Sequence, residues 1–565
     1  MQPMPKERDP GSSSGPVPFR LADTIDVKAR QDVFTTSNGT GTSSPGKFAC
    51  EVTAAIDARL GLPSMKKHCP VPLTDAPLFG SLSPRRQQPV DPSFFHADNL
   101  LPPRKHADRM VDIYWRYIQP LEPVLDQDRF SRSYQALFDG AELGTDERIF
   151  VSTLNTVFAL STQLQESTQP EQREEAGKTF FHRAWSLLRP ETIIWEPGSL
   201  ELVQCLLLLS RFLQCTNNPH QTWMAVGSAV RIAQSLGLHV PEPPSGLASI
   251  LGRNSMVPLI ASSPTVDLSY MDNGSDLPKG PLGASLTYLT KTLEVYDFSN
   301  YILPPQAPAN SHFAQSLGLP QSYQGAELST AVQIDACLKK WEKGLPSSIG
   351  PESDQRGATE GGLDSQQILL LQLRLAHVRT LLFRPMLAQL CLPQCQAGRT
   401  PPSADQGLGA RVMQDCASLC VENSRKMVDL VCDNCSPGDA ATIGLLPWWY
   451  RIFFLYVASQ HLIAAMLRPD VLPVSMVSES LDKALSVLCA HEHLSPCVGR
   501  CVRSFQALAQ KISDIHQLAG DRVPVPGGSS NAFFQGVFQD LGFEAESSLL
   551  RVEDMSWLDV ADWNA

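Results

Sequence analysis

At 565 residues the chain is too long for one ordinary compact core, and its 43% hydrophobic share is enough to bury a sizeable interior. A formal net charge of −12 repels phosphate and anionic lipid, which argues against sequence-independent nucleic-acid binding by the chain as a whole.

The opening MQPMPKERDPGSSSG has no apolar stretch behind its charges, so no secretory leader is expected, and the 14 cysteines are expected to be mostly buried thiols. Residues 1–105 are rich in Pro, Ser and Gly, which predicts a largely disordered arm with a short helix over Phe48–Leu60. The pattern changes at His106, where Met110, Tyr114, Tyr117 and Ile118 share one helical stripe that Pro120 and Pro123 end. Thr145 is placed as the N-cap of a helix over Thr145–Leu164. Helical spacing follows over Glu171–Leu188, Ser199–Gln214 with Ser199 as cap, and Gln221–Leu236 with Gly237 as a left-handed terminator. Residues 241–280 read as a long loop.

Helical patterning resumes over Leu282–Ser299, Glu327–Lys343 and Gln366–Phe383. It continues over Gly409–Val431, Trp448–Leu467, Ser478–Ala490 and Val498–Leu518. The apolar run from Ile452 to Leu467 is interrupted by Ser459, Gln460 and His461 and falls short of the ~20 residues a membrane span needs. No strand-rich stretch occurs, so the expected fold class is all-α, with about ten helices. The expected organisation is an arm over 1–105, an all-helical regulatory domain over 106–520 and a tail over 521–565.

Three stretches of the body carry a resemblance. The first is MVDIYWRYIQPLEPVLDQDRF, residues 110–130, a helix, a proline-framed turn and an aromatic. The second, residues 179–240, holds Gln204, Trp223, Gly227, Ala229, Arg231, Ala233 and the run Leu236–His239. The third is LRLAHVRTLLFRPML, residues 373–387, read as a helix ending at Arg-Pro. In this order and spacing they resemble the middle homology region of fungal zinc-cluster transcription factors, over roughly residues 106–500.

The resemblance implies a nuclear transcription regulator of a pathway or secondary-metabolite gene cluster, not an enzyme. It also implies a helical domain that receives small-molecule effectors, partner proteins or a second copy of itself as a homodimer. Two departures stand out. The family opens with six cysteines spaced C-x2-C-x6-C twice over, whose two Zn²⁺ ions hold a domain too small to build its own core. Here only Cys50 and Cys69 precede residue 200, so no zinc cofactor and no direct nucleic-acid site are expected from these residues. Action through the transcription machinery or a DNA-bound partner factor is expected instead. The second departure is a helix the family carries after LGLH, which has no counterpart between Gly246 and Leu247.

Other chemistry is thinly supported. Cys416, Cys420, Cys432 and Cys435 are spaced C-x3-C-x11-C-x2-C, superficially a zinc site, but Cys416 and Cys420 continue an apolar helix face with Met427. Cys432 and Cys435 are left as weak metal candidates. Gly11-Ser12-Ser13-Ser14-Gly15 matches a nucleophile elbow in letters but lacks the strand and helix that would expose its serine. His491-Glu492-His493 lacks metalloprotease spacing. The all-α alternative is a scaffold or enzyme binding an apolar metabolite, such as a terpene-cyclase-like fold. No adjacent Asp-Asp pair is present to hold its Mg²⁺.

The tail from Asn531 sets Phe538, Leu541, Phe543, Leu549, Leu550, Trp557, Leu558 and Trp563 among acidic residues, with Arg551 as its only base. Such a segment can dock its apolar side chains into a coactivator groove. The same residues would equally suit an amphipathic helix packed back on the body, and both readings stand.

Overall fold

The computed structural model describes residues 101–189, 197–216, 218–238, 281–302, 319, 328–343, 345, 364–391, 407–435 and 445–520, with residues 52, 53, 55, 56 and 59. Among the described residues every regular element is a helix, as the sequence predicts. Val52 and Ile56, both helical and buried, agree with the short helix expected over 48–60. The 241–280 segment and the tail lie outside the described residues.

The first six helices are α1 (Arg104–Tyr117), α2 (Gln127–Asp139), α3 (Glu147–Gln163), α4 (Pro170–Leu188), α5 (Leu200–Cys215) and α6 (Pro219–Ser235). Then come α7 (Pro281–Ile302), α8 (Leu328–Lys343), α9 (Ser365–Cys391), α10 (Leu408–Asp433), α11 (Trp448–Met466), α12 (Val474–Ala490) and α13 (Pro496–Gly520). Helix α3 packs against α1, α4 and α5, and α5 pairs with α6. Helix α9 lies against α7, α10 and α11, while α11 also meets α12 and α13.

Two helices form the middle of these layers. Every residue of α11 is buried, and so is every residue of α3 from Ile149 onward. A helix that is apolar all round has no face to give to water, so it ends at the centre of a stack. The polar residues of α3 are accommodated locally. The hydroxyls of Thr153, Thr156 and Thr162 donate to the carbonyls of Ile149, Ser152 and Phe158 one turn back, at 2.8–2.9 Å. Ser152 donates to Ala184 O at 2.8 Å and Ser161 to Met110 O at 2.7 Å, which ties α3 to α4 and α1.

Helix ends follow cap chemistry. Ser199 accepts from Leu202 N at 3.1 Å, and Gly237 sits at φ +76° while Leu238 N reaches back to Ala233 O, as the sequence predicts. Three expectations need correction. Asp146, not Thr145, caps α3, accepting from Arg148 N and Ile149 N; a carboxylate beside the helix N-terminus outcompetes the hydroxyl before it. Helix α2 was not expected. Its signals are short-range, an Asp126 cap that accepts from Arg129 N and a Gly140 terminator at φ +67°, around only 13 residues. Helix α9 does not end at Arg384-Pro385 but runs through Pro385 to Cys391. Met386, Leu387 and Cys391 extend the buried stripe past the proline, and Arg468 and Arg59 donate to the terminal carbonyls of Leu390 and Cys391.

Candidate functional site

The segment Gln119–Asp126 joins α1 to α2, and its two prolines remove two backbone donors. Its carbonyls therefore need partners from elsewhere, and distant helices supply them. Gln204 of α5 donates to Val124 O at 2.7 Å, Tyr288 of α7 to Leu121 O at 3.1 Å, and Gln367 of α9 to Pro120 O at 2.9 Å. Gln119 turns back on its own segment, donating to Leu125 O at 2.6 Å while accepting from the Tyr114 hydroxyl at 2.9 Å. Chain separated by as many as 247 residues is thus pinned to one turn.

The Glu122 carboxylate points into the same centre. It accepts from Arg211 Nε at 2.7 Å and from the Tyr450 hydroxyl of α11. The Arg211 guanidinium lies 5.9 Å from the Tyr450 ring centroid. Burial, and then the Glu122 charge, push the Tyr450 hydroxyl well above its ordinary range, so it stays a proton donor.

Beside it stands a second guanidinium, Arg374 of α9. Its Nη1 donates to the Tyr288 hydroxyl and to Thr292 Oγ1, both at 3.1 Å, and its Cζ lies 5.2 Å from the Tyr296 ring centroid. Burial raises the Tyr296 hydroxyl as well. The result is a buried centre of two guanidiniums, one carboxylate and three tyrosines where α5, α7, α9 and α11 converge on the turn. Sequence reasoning marked Gln204 and the turn but missed Arg374, Tyr288 and Tyr450. A buried Arg on an apolar stripe and three Tyr up to 162 residues apart leave no local spacing signal.

The weak metal candidates lie elsewhere. Cys432 lies in the last turn of α10 and Cys435 just beyond its end, both partly buried, with Cys435 Sγ 3.9 Å from Arg451 Nη1. Arg451 is ion-paired with Glu166. Burial, with the neighbouring Cys435 next in effect, pushes the Cys432 thiol up to about 11, and burial raises Cys435 too. Among the described residues no group of three or more His, Cys, Asp or Glu side chains could hold a metal ion. Cys416 and Cys420 are buried in the α9–α10 layer, with Cys420 Sγ 3.5 Å from Thr380 O. The proposed coactivator-contact residues Phe538, Leu541, Phe543, Leu549, Leu550, Trp557, Leu558 and Trp563 lie outside the described residues. No helix among the described residues is long and apolar enough to cross a membrane.

Residues 111–251, which carry the turn and α2 to α6, match the model of the fungal specific transcription factor domain. Over 90% of its length the chain is 38% identical to the sorbicillinoid biosynthetic cluster transcription factor sor3 of Hypocrea jecorina, covering 74% of that protein. It is 36% identical to sorbicillinoid biosynthetic cluster transcription factor 2 of Penicillium rubens, over 90% of this chain and 75% of that one. The chain belongs to the fungal-specific transcription factor family. It is also 22% identical to transcription factor FBD3 of Fusarium pseudograminearum, over 64% of this chain and half of that one.

As a fungal-specific transcription factor the chain is a transcription regulator, and the middle-region resemblance read from residues 110–130, 179–240 and 373–387 is correct. The structure sorts those motif residues by role. Ala229 is buried and Gln204 grips the turn, whereas Trp223 is 60% exposed and Leu238 55% exposed. Tyr288, Arg374 and Tyr450 fall beyond the matched domain, so the buried centre joins this domain to the helices that follow it.

Proposed function

We propose that the chain acts in the nucleus to regulate a secondary-metabolite gene cluster of the sorbicillinoid type, and that it does so without catalysing a reaction of its own. The observation that carries this reading is the near end-to-end identity to two regulators named for such clusters, 38% and 36% over 90% of the chain. The helical body is the regulatory module, a second copy of the chain or an effector acting on it. The acidic-aromatic tail, through Phe538, Leu541, Phe543, Leu549, Leu550, Trp557, Leu558 and Trp563, contacts the transcription machinery. Cys432 and Cys435 remain thiols rather than zinc ligands, a reading supported by the burial that raises both and disfavours the thiolate form.

The test is deletion of the gene in its host, with transcript measurement across its neighbouring biosynthetic genes. Coordinate loss or gain of those transcripts is expected, and an unchanged profile under producing conditions overturns the reading. Fusing the chain, with and without residues 531–565, to a heterologous DNA-binding domain tests the tail. Equal reporter output from both fusions would remove its activating role.

A further inference from the structure

We propose that the outer face of α6 is a self-association surface, on which a second copy of the chain docks antiparallel, with Gly227 at the two-fold axis and Trp223 of each copy against the partner's Arg231.

The face is open. Among the described residues α5 is the helix that packs along α6, and it covers one stripe, Thr222, Ala225 and Ala229, all buried. The opposite stripe carries Trp223, Gly227 and Arg231 at spacings i, i+4 and i+8, one above the other on a helix. Trp223 is 60% exposed, Arg231 is exposed, and a Cβ at Gly227 would meet nothing within 4 Å. No hydrogen bond or ion pair engages Arg231 among the described residues. Tryptophan and arginine are the side chains that dominate binding energy where proteins meet, and both stand here in water.

The order of residues along the face selects the occupant. Gly227 divides it evenly, with Trp223 and Arg231 four residues to either side and Met224 and Val230 three. A two-fold axis across α6 at Gly227 therefore brings Trp223 of one copy level with Arg231 of the other, and Met224 level with Val230. Each contact is made twice, as a closed isologous pair requires. A guanidinium on an indole face is a favourable cation–π pairing, and glycine at the crossing lets two backbones approach closely. Parallel docking would instead set the two Arg231 cations together. Helix α6 has no Asp or Glu to hold a basic partner. Its one Lys or Arg, Arg231, would meet only one of the seven acidic side chains of the 531–565 tail. The face is thus complementary to itself before it is complementary to either.

A single helix pair covers less than the roughly 800 Å² per partner of a long-lived interface, so the dimer is expected to form and part in the micromolar range. Its regulatory consequence rests on the transcription-regulator reading, but the association itself does not.

The test is sedimentation velocity of the purified full-length chain between about 1 and 100 µM, with Trp223→Ala, Arg231→Ala and the double variant alongside. A concentration-dependent shift from monomer to dimer is expected for the natural chain. Trp223→Ala should weaken it by about tenfold or more, and Arg231→Ala by about fivefold. Because the two side chains meet across the axis, the double variant should be little weaker than Trp223→Ala alone. Both side chains face water, so the far-ultraviolet spectra should stay unchanged; should Trp223→Ala misfold, Arg231→Ala decides. A natural chain that stays monomeric throughout that range, a dimer that no folded variant weakens, or two losses that simply add overturns the proposal. The first of these outcomes would leave the face to another protein or to the chain's own tail. Because the readout is mass rather than transcription, its failure leaves the reporter and transcript tests standing.

Discussion

Glu122 and Arg211 lie 89 residues apart and meet at 2.7 Å between carboxylate oxygen and Nε, both largely withdrawn from water. One sits on the proline-framed turn, the other on α5, so the pair closes the N-terminal helices onto that turn. Removing one partner of a buried pair leaves the other charge uncompensated, a cost of about 3–5 kcal/mol. Glu122→Gln should therefore lower stability by about that much in urea unfolding. Adding Arg211→Met to Glu122→Gln should recover part of the loss, because both charges are then gone. A Glu122→Gln protein as stable as the natural chain would show that the pair is not compensating a buried charge.

Acid should unfold the body through its histidines. Burial, and then the Arg384 charge, hold His377 and His461 down to about 3, against 6.5 for a free imidazole. Both are therefore neutral when folded at pH 7. As pH falls below 6.5 the unfolded chain takes up protons that the folded chain refuses, so stability is full above 6.5 and declines toward pH 3. Each group contributes a slope of up to about 1.4 kcal/mol per pH unit in that window. His377 packs edge-on against Phe453 and Phe454, and its Nε2 has no hydrogen-bond partner. His377→Phe should thus flatten the melting-temperature profile between pH 6.5 and 5 with little loss at pH 7. An unchanged slope would place the acid sensitivity elsewhere.

The helices were legible because helix periodicity, Ser199 and Gly237 are local signals that neighbouring residues carry themselves. Helix α2 was not, since 13 residues with a half-wet face offer too few apolar repeats, and its Asp126 cap follows directly on a proline-framed turn. The passage of α9 through Pro385 was hidden for the opposite reason. Local chemistry favours a stop there, and only the burial of Met386, Leu387 and Cys391 by neighbouring helices overrides it. The buried centre was legible in half. Its turn announces unmet carbonyls through Pro120 and Pro123, whereas Tyr288, Arg374 and Tyr450 acquire meaning only when three helices bring them together.

Two helical glycines, Gly177 buried and Gly227 half-buried, should respond in opposite directions to alanine. A Cβ at Gly177 of α4 would stand 2.6 Å from Gln163 Nε2 and 3.4 Å from the Phe212 ring. Gln163 is itself buried, so its side-chain amide would have to shift within packed surroundings for the Cβ to fit. Overpacking costs about 1–3 kcal/mol against a gain of about 1 kcal/mol in helix propensity, so Gly177→Ala should be net destabilising. At Gly227 of α6 a Cβ meets nothing within 4 Å, and the propensity gain stands alone. Gly227→Ala should raise the melting temperature while Gly177→Ala lowers it. The same sign for both would mean that the Gln163 side chain moves aside freely.

Pro385 poses a sharper choice, because it sits inside a 27-residue helix. It donates no backbone hydrogen bond to Leu381 O, and a proline within a helix is less favourable than alanine by about 3 kcal/mol. If the helix tolerates Pro385 only because burial on both sides outweighs that cost, Pro385→Ala should stabilise the protein by about 1–3 kcal/mol. Hydrogen exchange should slow at residues 386–391 as the missing ladder bond forms. The competing possibility is that the proline sets the path of the last turn so that Leu390 O and Cys391 O meet Arg468 and Arg59 at 2.8 and 3.1 Å. In that case alanine would gain one backbone bond and lose two charge-assisted ones, each worth about 1.5–3 kcal/mol. The sign of the melting shift separates the two, and faster exchange at 390–391 alongside a lower melting temperature would assign Pro385 a positioning role for the helix end.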